Sequence, residues 1–137
     1  MSDGMVVFDT NTLISALLSP GSVPFRALER ARTNLLFSVA TMEELFRVVQ
    51  RSKFDRYTTL DIRLRFVEAL YREAIWVDIT QQMAACRDPR DNKFLEVAVN
   101  GGASCIVTGD DDLLVLHPFR GIDILSPRDF LESRESS

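Results

Sequence analysis

Short apolar runs of strand-forming residues alternate with helical patterns along almost the whole sequence. The alternation predicts an α/β fold with a mostly parallel sheet and helices on both faces, because parallel strands need crossover connections that are usually helices. Strands are predicted at Met5–Phe8, Leu35–Val39, Ile75–Ile79, Ser104–Val107 and Ile122–Leu125. Helices are predicted from Leu13 to Leu18, at Pro24–Arg32, Met42–Gln50, Leu60–Ala74 and Asp91–Val99, and after Ser126. In the fourth of these helices, Leu60, Leu64, Val67, Tyr71 and Ala74 are predicted to share one apolar face.

The length and composition favour one small domain without a membrane partner. The 137 residues fit a single domain, 1–137, with an ordered core over about residues 5–132 and a frayed tail at 133–137. No apolar run reaches the roughly 20 residues that span a bilayer, and MSDGM lacks the features of a signal peptide, so a cytoplasmic protein is expected. Cys86 and Cys105 are expected to be buried thiols. His117 has no Cys or His beside it, so neither a zinc site nor a histidine-activated nucleophile is expected.

Carboxylates recur where the predicted strands end or where the next helix begins. Asp9 follows the first strand, Glu44 lies early in the helix after the second, and Asp91 opens the helix after RDPRDN. Asp110, Asp111 and Asp112 follow the fourth strand. The carboxyl ends of parallel strands lie at one edge of the sheet, so these acids are expected to converge there.

Each acid also has a local explanation as part of a helix start. Thr41 and Glu44 match a capping box, Asp88 could cap a helix with Asp91 in its first turn, and Asp9 could cap the first helix. Taken together, however, the acids have no fixed basic partner in the same motifs, and carboxylates that lie close together need positive charge. Mg²⁺ or Mn²⁺ is the expected counter-ion, and such a site supports metal-assisted hydrolysis of phosphodiesters.

The charge distribution offers a second indication of a phosphate-bearing polymer. The net charge is −4, but the segment from Arg47 to Arg72 carries seven Lys and Arg residues against three Asp and Glu residues. A segment of this kind can be a pair of solvated helix faces or a surface that binds nucleic acid. Arg47, Arg51 and Lys53 are the candidates for contact with such a polymer.

Four stretches, in this order, resemble the PIN-domain ribonucleases, and most closely the (VapC-like) toxin components of bacterial and archaeal toxin–antitoxin pairs. They are VVFDTNTLISALLSPGSVP, SVATMEELFRVV, CRDPRDNKFLEVAVNGGASCIVTGDDDLL and GIDILSPRDFL. The resemblance covers most of the chain and leaves only the stretch from Lys53 to Ala74 without a counterpart. It implies a three-layer α/β/α fold with five parallel strands in the order 3-2-1-4-5.

The resemblance also implies roles for individual residues. Asp9, Glu44, Asp91 and Asp110 match the catalytic acids, and Asp112 matches an additional metal-binding acid. Asp9 and Asp91 are implied as direct ligands of Mg²⁺ or Mn²⁺, with Glu44 and Asp110 completing the site directly or through water. Polar positions that support the acids by hydrogen bonds match Asn11, Ser38 and Thr108. Such toxins cleave RNA, are silenced by a small antitoxin protein and commonly form homodimers.

Three other classes of protein share parts of this pattern. A phosphatase of the haloacid-dehalogenase type would use Asp9 as nucleophile, but Asn11 cannot serve as its proton donor and Glu44 and Asp91 would have no role. A phosphoacceptor signalling domain would need a lysine after the fifth strand, where Ser126 and Pro127 stand. A PIN fold used only to bind RNA remains the third alternative, and the presence of all four acids argues against it.

Overall fold

The computed structural model describes residues 4–135, and in that range five short strands pair in parallel among seven α-helices. The strands are β1 (Val6–Phe8), β2 (Leu36–Phe37), β3 (Ile75–Trp76), β4 (Cys105–Val107) and β5 (Asp123–Leu125). The helices are α1 (Thr10–Leu18), α2 (Val23–Ala31), α3 (Val39–Val49), α4 (Leu60–Glu73), α5 (Asn92–Gly101), α6 (Asp111–Leu114) and α7 (Pro127–Glu135). Short 3₁₀ turns lie at Arg32–Asn34, Ser52–Phe54 and Pro89–Asp91. The predicted α/β class is confirmed.

The predicted continuous sheet of five strands in the order 3-2-1-4-5 is wrong. The main sheet has three strands in the order β1-β4-β5, with Phe8 opposite Val107 at its carboxyl edge. Strands β2 and β3 form a separate ladder of two residue pairs, and one isolated parallel bridge joins Val6 to Leu35. The second ladder is short because α3 begins directly after Ser38 and ends the extended segment there.

Helices cover both faces of the main sheet because the strand side chains alternate between two apolar clusters. Phe8 and Val107 point into one cluster, which α1, α2, α3, α4 and α7 complete. Val7 and Ile106 point into the other, where they meet residues of α5 such as Leu95. Both cysteines are buried, as predicted. No helix within residues 4–135 is long and apolar enough to cross a membrane.

Capping side chains explain why the helix boundaries differ from the predicted ones. Helix α1 begins at Thr10 because the Asp9 carboxylate accepts a hydrogen bond from the Thr12 N–H. Helix α3 begins at Val39 because Ser38 and Thr41 cap each other's backbone N–H groups. Helix α7 continues to Glu135, so the described part of the predicted tail is helical, while residues 136 and 137 lie outside the described range.

The buried face of α4 is rotated from the predicted one. The stripe that faces the core contains Arg63, Val67 and Leu70, whereas Leu60 and Tyr71 are exposed. A sequence pattern assigns arginine to the polar face by default, and here the arginine lies at the centre of the buried face.

Candidate active site

Two of the predicted acids are brought together by the backbone of the main sheet. Asp9 follows β1 and Asp110 follows β4 after Thr108 and Gly109, and the register of these strands places their ends side by side. The Asp9 N–H also donates to the Val107 carbonyl at 3.3 Å, which extends the pairing by one residue. The separation of the two acids is therefore set mainly by strand pairing.

A polar cavity of about 230 Å³ lies at this edge of the sheet, and all four predicted catalytic acids line it. Asp9 and Asp110 come from the main sheet, Glu44 from α3 and Asp91 from the 3₁₀ turn before α5. The remaining lining residues are Thr10, Asn11, Arg47, Val48, Arg51, Asp88, Arg90 and Phe94. Residues from four separate parts of the chain thus meet at one small opening.

Asp9 is the most deeply buried of these acids, with 5% of its surface exposed. Burial raises its pKa above the usual range, and hydrogen bonds with Thr108 and Thr12 oppose that rise. The Thr108 hydroxyl donates to Asp9 Oδ2 at 2.5 Å and accepts from the Asp110 N–H at 2.9 Å. A single hydroxyl group therefore joins the two acids of the main sheet.

Asp91 has an environment that favours its protonated form. Its side chain makes no capping hydrogen bond at the start of α5, although its residue occupies the cap position. Burial raises the pKa of Asp91 to about 6, and the neighbouring Asp110 adds to the rise through its charge and a hydrogen bond. Asp88 caps the preceding 3₁₀ turn through the Arg90 N–H at 2.9 Å, so the predicted cap lies there and leaves Asp91 facing the other acids.

Glu44 is held by partners that the sequence patterns did not indicate. It does not form the predicted capping box with Thr41, whose hydroxyl caps α3 together with Ser38. The Thr10 hydroxyl donates to Glu44 Oε2, and Lys93 Nζ lies 2.8 Å from Glu44 Oε1. The expectation that the acids lack a fixed basic partner in these motifs is therefore wrong, because Lys93 belongs to the motif that contains Asp91.

The remaining predicted site residues occupy different positions around the cavity. Asn11 lies exposed at the cavity mouth, and within residues 4–135 its side chain forms no hydrogen bond with an acid. Ser38 is buried at the start of α3 and contacts Thr41. Asp112 does not line the cavity, and its carboxylate lies 4.0 Å from Arg87 Nη1. Of the three predicted supporting residues, Thr108 alone bonds an acid side chain directly within the described range.

The predicted basic segment divides into residues at or near the acidic cavity and arginines that form ion pairs on α4. Arg47 and Arg51 line the acidic cavity, while Lys53 lies outside it on an exposed turn. Arg65 pairs with Asp61, and Arg72 pairs with Glu68 on the exposed side of α4. The excess positive charge is thereby concentrated before α4. Arg90, which the sequence patterns did not single out, adds a further guanidinium to the cavity rim.

Arg63 does not belong to an exposed basic surface. Its side chain is 1% exposed, and its guanidinium donates to the Val49 carbonyl at 2.8 Å and to the Thr58 carbonyl at 2.5 Å. A third bond reaches Asp55 Oδ1 at 2.8 Å. Arg63 thus holds the segment between α3 and α4 against the core.

Two further cavities differ in their relation to the acids. One of about 470 Å³ also borders Asp9, Asn11 and Asp110, on the side of α1, α2 and the start of α7. The other, about 890 Å³, is an apolar groove between α3 and α4 with Phe46, Tyr71 and Trp76 in its walls, and none of the four acids lines it. The four acids therefore lie away from this apolar groove.

Two other reactive groups are unsuited to catalysis. Burial raises the pKa of the Cys86 thiol to about 11, so the thiol is protonated at neutral pH and a poor nucleophile. His117 Nδ1 accepts the Ile124 N–H at 2.9 Å and thus supports β5.

The donor chemistry of the cavity suits a hard divalent cation, but the side chains are not arranged as a finished metal site. Among the residues that the structure describes, no group of three His, Cys, Asp or Glu side chains is arranged to hold a metal ion. The acids nevertheless share one cavity, and the charges of Asp110 and Asp9 contribute to the raised pKa of Asp91. Mg²⁺ and Mn²⁺ take carboxylate oxygens and retain several waters, so a few carboxylates around one opening suffice.

The chain is similar in sequence to one family and one archaeal protein, and in structure to a solved protein. The sequence model of the family described as "PIN domain" matches residues 5–112. An uncharacterized protein of Methanocaldococcus jannaschii is 28% identical over 142 residues, which cover 95% of this chain and 91% of that protein. The crystal structure of PAE2754 from Pyrobaculum aerophilum has a TM-score of 0.65 at 14% identity and covers 97% of this chain and 91% of that one. At that identity the structural likeness concerns the fold alone.

Proposed function

The chain belongs to the PIN domain family, whose members are generally metal-dependent nucleases, and we propose that it is a Mg²⁺- or Mn²⁺-dependent endoribonuclease. In this proposal Asp9, Glu44, Asp91 and Asp110 form the catalytic acid cluster. The observation that carries the proposal is the convergence of these four carboxylates on one cavity that also has arginines on its rim. Carboxylates and arginines together suit a reaction at a phosphodiester, because the arginines bind phosphate and the acids require a cation.

Asp9, Asp91 and Asp110 would hold the cation, and Asp112 would add a ligand at the edge. When bound, a divalent cation lowers the pKa of a water molecule and stabilises charge on the phosphate oxygens. The chain's own residues fix the acids in position, since Thr108 holds Asp9 by a 2.5 Å hydrogen bond and Thr10 holds Glu44. At neutral pH an acid with a pKa of about 6, such as Asp91, is largely ionised and available to a cation.

Two features favour a polymer over a small phosphate ester as the substrate. Arg47 and Arg51 line the acidic cavity, and Lys53 lies near them in sequence. In addition, both polar cavities border Asp9, Asn11 and Asp110, so the acids are open on two sides. A chain of nucleotides could extend past the acids in both directions, with its phosphates contacted by the basic side chains.

The resemblance to toxin components supports a more specific biological role. We propose that the protein is a cytoplasmic toxin that cleaves RNA, that it forms a homodimer and that a small antitoxin protein silences it. If this role is correct, expression of the wild-type chain should arrest the growth of a bacterial host, and expression of Asp9→Asn should not.

The activity is tested by incubating the purified chain with single-stranded RNA and Mn²⁺ or Mg²⁺. Cleavage is expected for the wild type and for Asp129→Asn, a matched change at an exposed aspartate in the first turn of α7. Loss of cleavage is expected for Asp9→Asn and after addition of EDTA. Equal cleavage by wild type and Asp9→Asn would sink the proposal, since a contaminating nuclease would then explain the activity. Hydrolysis of a small phosphomonoester with RNA left intact would instead favour a phosphatase.

A further inference from the structure

Lys93 divides the acid cluster into two unlike halves. Its ammonium group lies 2.8 Å from Glu44 Oε1, and both side chains are mostly buried, with 21% of Lys93 and 15% of Glu44 exposed. We propose that the Lys93 ammonium is the resident cation of the Glu44 half, so that the site takes one divalent cation, at Asp9, Asp91 and Asp110, and not two. This inference rests on the proposed function, because it concerns the cation that a nuclease of this kind would use.

The Glu44 half is already satisfied by the chain itself. Glu44 Oε1 accepts from Lys93 and Glu44 Oε2 accepts from Thr10, so each carboxylate oxygen has a donor. Arg47 adds a second positive group, with its Nη2 at 3.9 Å from Glu44 Oε1. A charge-assisted hydrogen bond in a mostly buried position is among the stronger polar contacts in proteins. The negative charge of Glu44 is therefore neutralised without any added ion.

The other half has no such neutralisation. Within residues 4–135, no Lys, Arg or His nitrogen lies within 4.0 Å of a carboxylate oxygen of Asp9, Asp91 or Asp110. Asp9 receives hydrogen bonds from uncharged donors, Thr12 and Thr108. Asp91 interacts mainly with Asp110, another acid. Among the described residues, these three acids form no ion pair within 4.0 Å, whereas Glu44 forms two.

A divalent ion at Glu44 would have to displace the lysine or lie beside it. Lys93 is on the first turn of α5, two residues after Asp91, so its backbone is fixed together with that of Asp91. A displaced Lys93 would leave a mostly buried ammonium without its carboxylate, and a retained one would repel the incoming ion. Both alternatives disfavour a second ion as long as residue 93 carries a positive charge.

The test counts the Mn²⁺ ions that bind to the whole chain. Isothermal titration calorimetry gives the number directly, and the electron paramagnetic resonance signal of free Mn²⁺ gives it independently, because that signal falls as the ion binds. We expect one ion for the wild type and two for Lys93→Met, which keeps the length of the side chain and removes its charge. Lys53→Met is the matched control, because it removes the same charge at an exposed turn outside the cavity, and it should bind one ion. The double variant Lys93→Met/Glu44→Gln should return to one ion, because the second ion requires Glu44.

Several results would overturn the inference. They are two ions on the wild type, one ion on a folded Lys93→Met, or loss of the single ion in Glu44→Gln, which would make Glu44 a ligand. The Glu44→Gln measurement keeps the test decisive if Lys93→Met does not fold, as judged by circular dichroism. Absence of any bound Mn²⁺ on the wild type would overturn both the inference and the proposed cofactor. RNA cleavage, assayed in parallel, separates the proposed nuclease activity from the proposed role of Lys93. A wild type that binds one ion but does not cleave RNA would overturn the nuclease activity alone. A wild type that cleaves RNA and binds two ions would overturn the role of Lys93 alone.

Discussion

Replacing Asp91 by asparagine should stabilise the cation-free protein. The pKa of Asp91 rises from 3.8 to about 6 on folding, chiefly because the carboxylate is partly buried and also because Asp110 lies beside it. Each pKa unit corresponds to about 1.4 kcal/mol, so the full rise would correspond to about 3 kcal/mol of destabilisation at neutral pH. Solvent screens this partly exposed group, so we expect about 1–2 kcal/mol. An asparagine side chain at this position is uncharged and would avoid this cost.

The pH dependence of the effect has a definite sign. Between pH 3.8 and about 6 the folded chain binds more protons at Asp91 than the unfolded chain does, so stability falls as pH rises through that window. Above about pH 6 the loss of stability that comes from Asp91 is complete. The advantage of Asp91→Asn should therefore be full near pH 7.5 and shrink to about a few tenths of a kcal/mol near pH 4.

The measurement is urea unfolding in EDTA, followed by circular dichroism at both pH values, with Asp129→Asn as the control. Adding Mn²⁺ should reverse the ranking, because a ligand that binds only the folded state stabilises the variant that binds it better. A variant less stable than the wild type near pH 7.5 in EDTA, or one with an equal difference at both pH values, would refute the reasoning.

Three further predictions concern stability and RNA binding. Arg63→Met should lower the free energy of unfolding by about 2–4 kcal/mol, because it leaves two backbone carbonyls without their donor. Asp55→Asn should lower it by about 1 kcal/mol or less, since Asp55 is exposed. Urea unfolding measures both losses, and equal losses would contradict this role of Arg63. Gly101→Ala should lower the free energy of unfolding by about 1–3 kcal/mol in the same assay, because an added Cβ would lie 2.7 Å from a side-chain carbon of β2. An unchanged urea midpoint would show that the neighbouring side chains move aside without loss of stability. The pair Arg51→Glu and Lys53→Glu should weaken RNA binding and flatten its salt dependence, and an unchanged salt slope in a fluorescence-anisotropy titration would rule out the basic surface. Lys53→Glu alone should spare Mn²⁺ affinity, because Lys53 lies outside the acidic cavity.

The α/β class followed from the alternation of strand and helix patterns, which depends on local sequence. The length of the second strand did not follow from it, because that length depends on which of several capping residues begins α3. Ser38 and Thr41 were both available, and the choice of Ser38 shortened the second strand. The local sequence offers both residues as caps, and helix boundaries are the part of an element that sequence patterns define least sharply.

The positions of the acids were easier to predict than their partners. Asp9, Asp91 and Asp110 were expected at one sheet edge, and all three line the same cavity. The contact between Lys93 and Glu44 joins residues 49 positions apart, so no local pattern contains it. One signal was available: Lys93 is the single basic residue on the first turn of α5, two positions after a predicted ligand.

The site combines two kinds of positional control, which differ in how they respond to mutation. Asp9 and Asp110 are placed by the register of β1 and β4, which backbone pairing sets. Glu44 follows the separate β2–β3 ladder, and its carboxylate is fixed by side chains from α1 and α5. A single substitution during evolution can therefore change the position and the partners of the Glu44 carboxylate. The spacing of Asp9 and Asp110, in contrast, persists for as long as β1 and β4 pair.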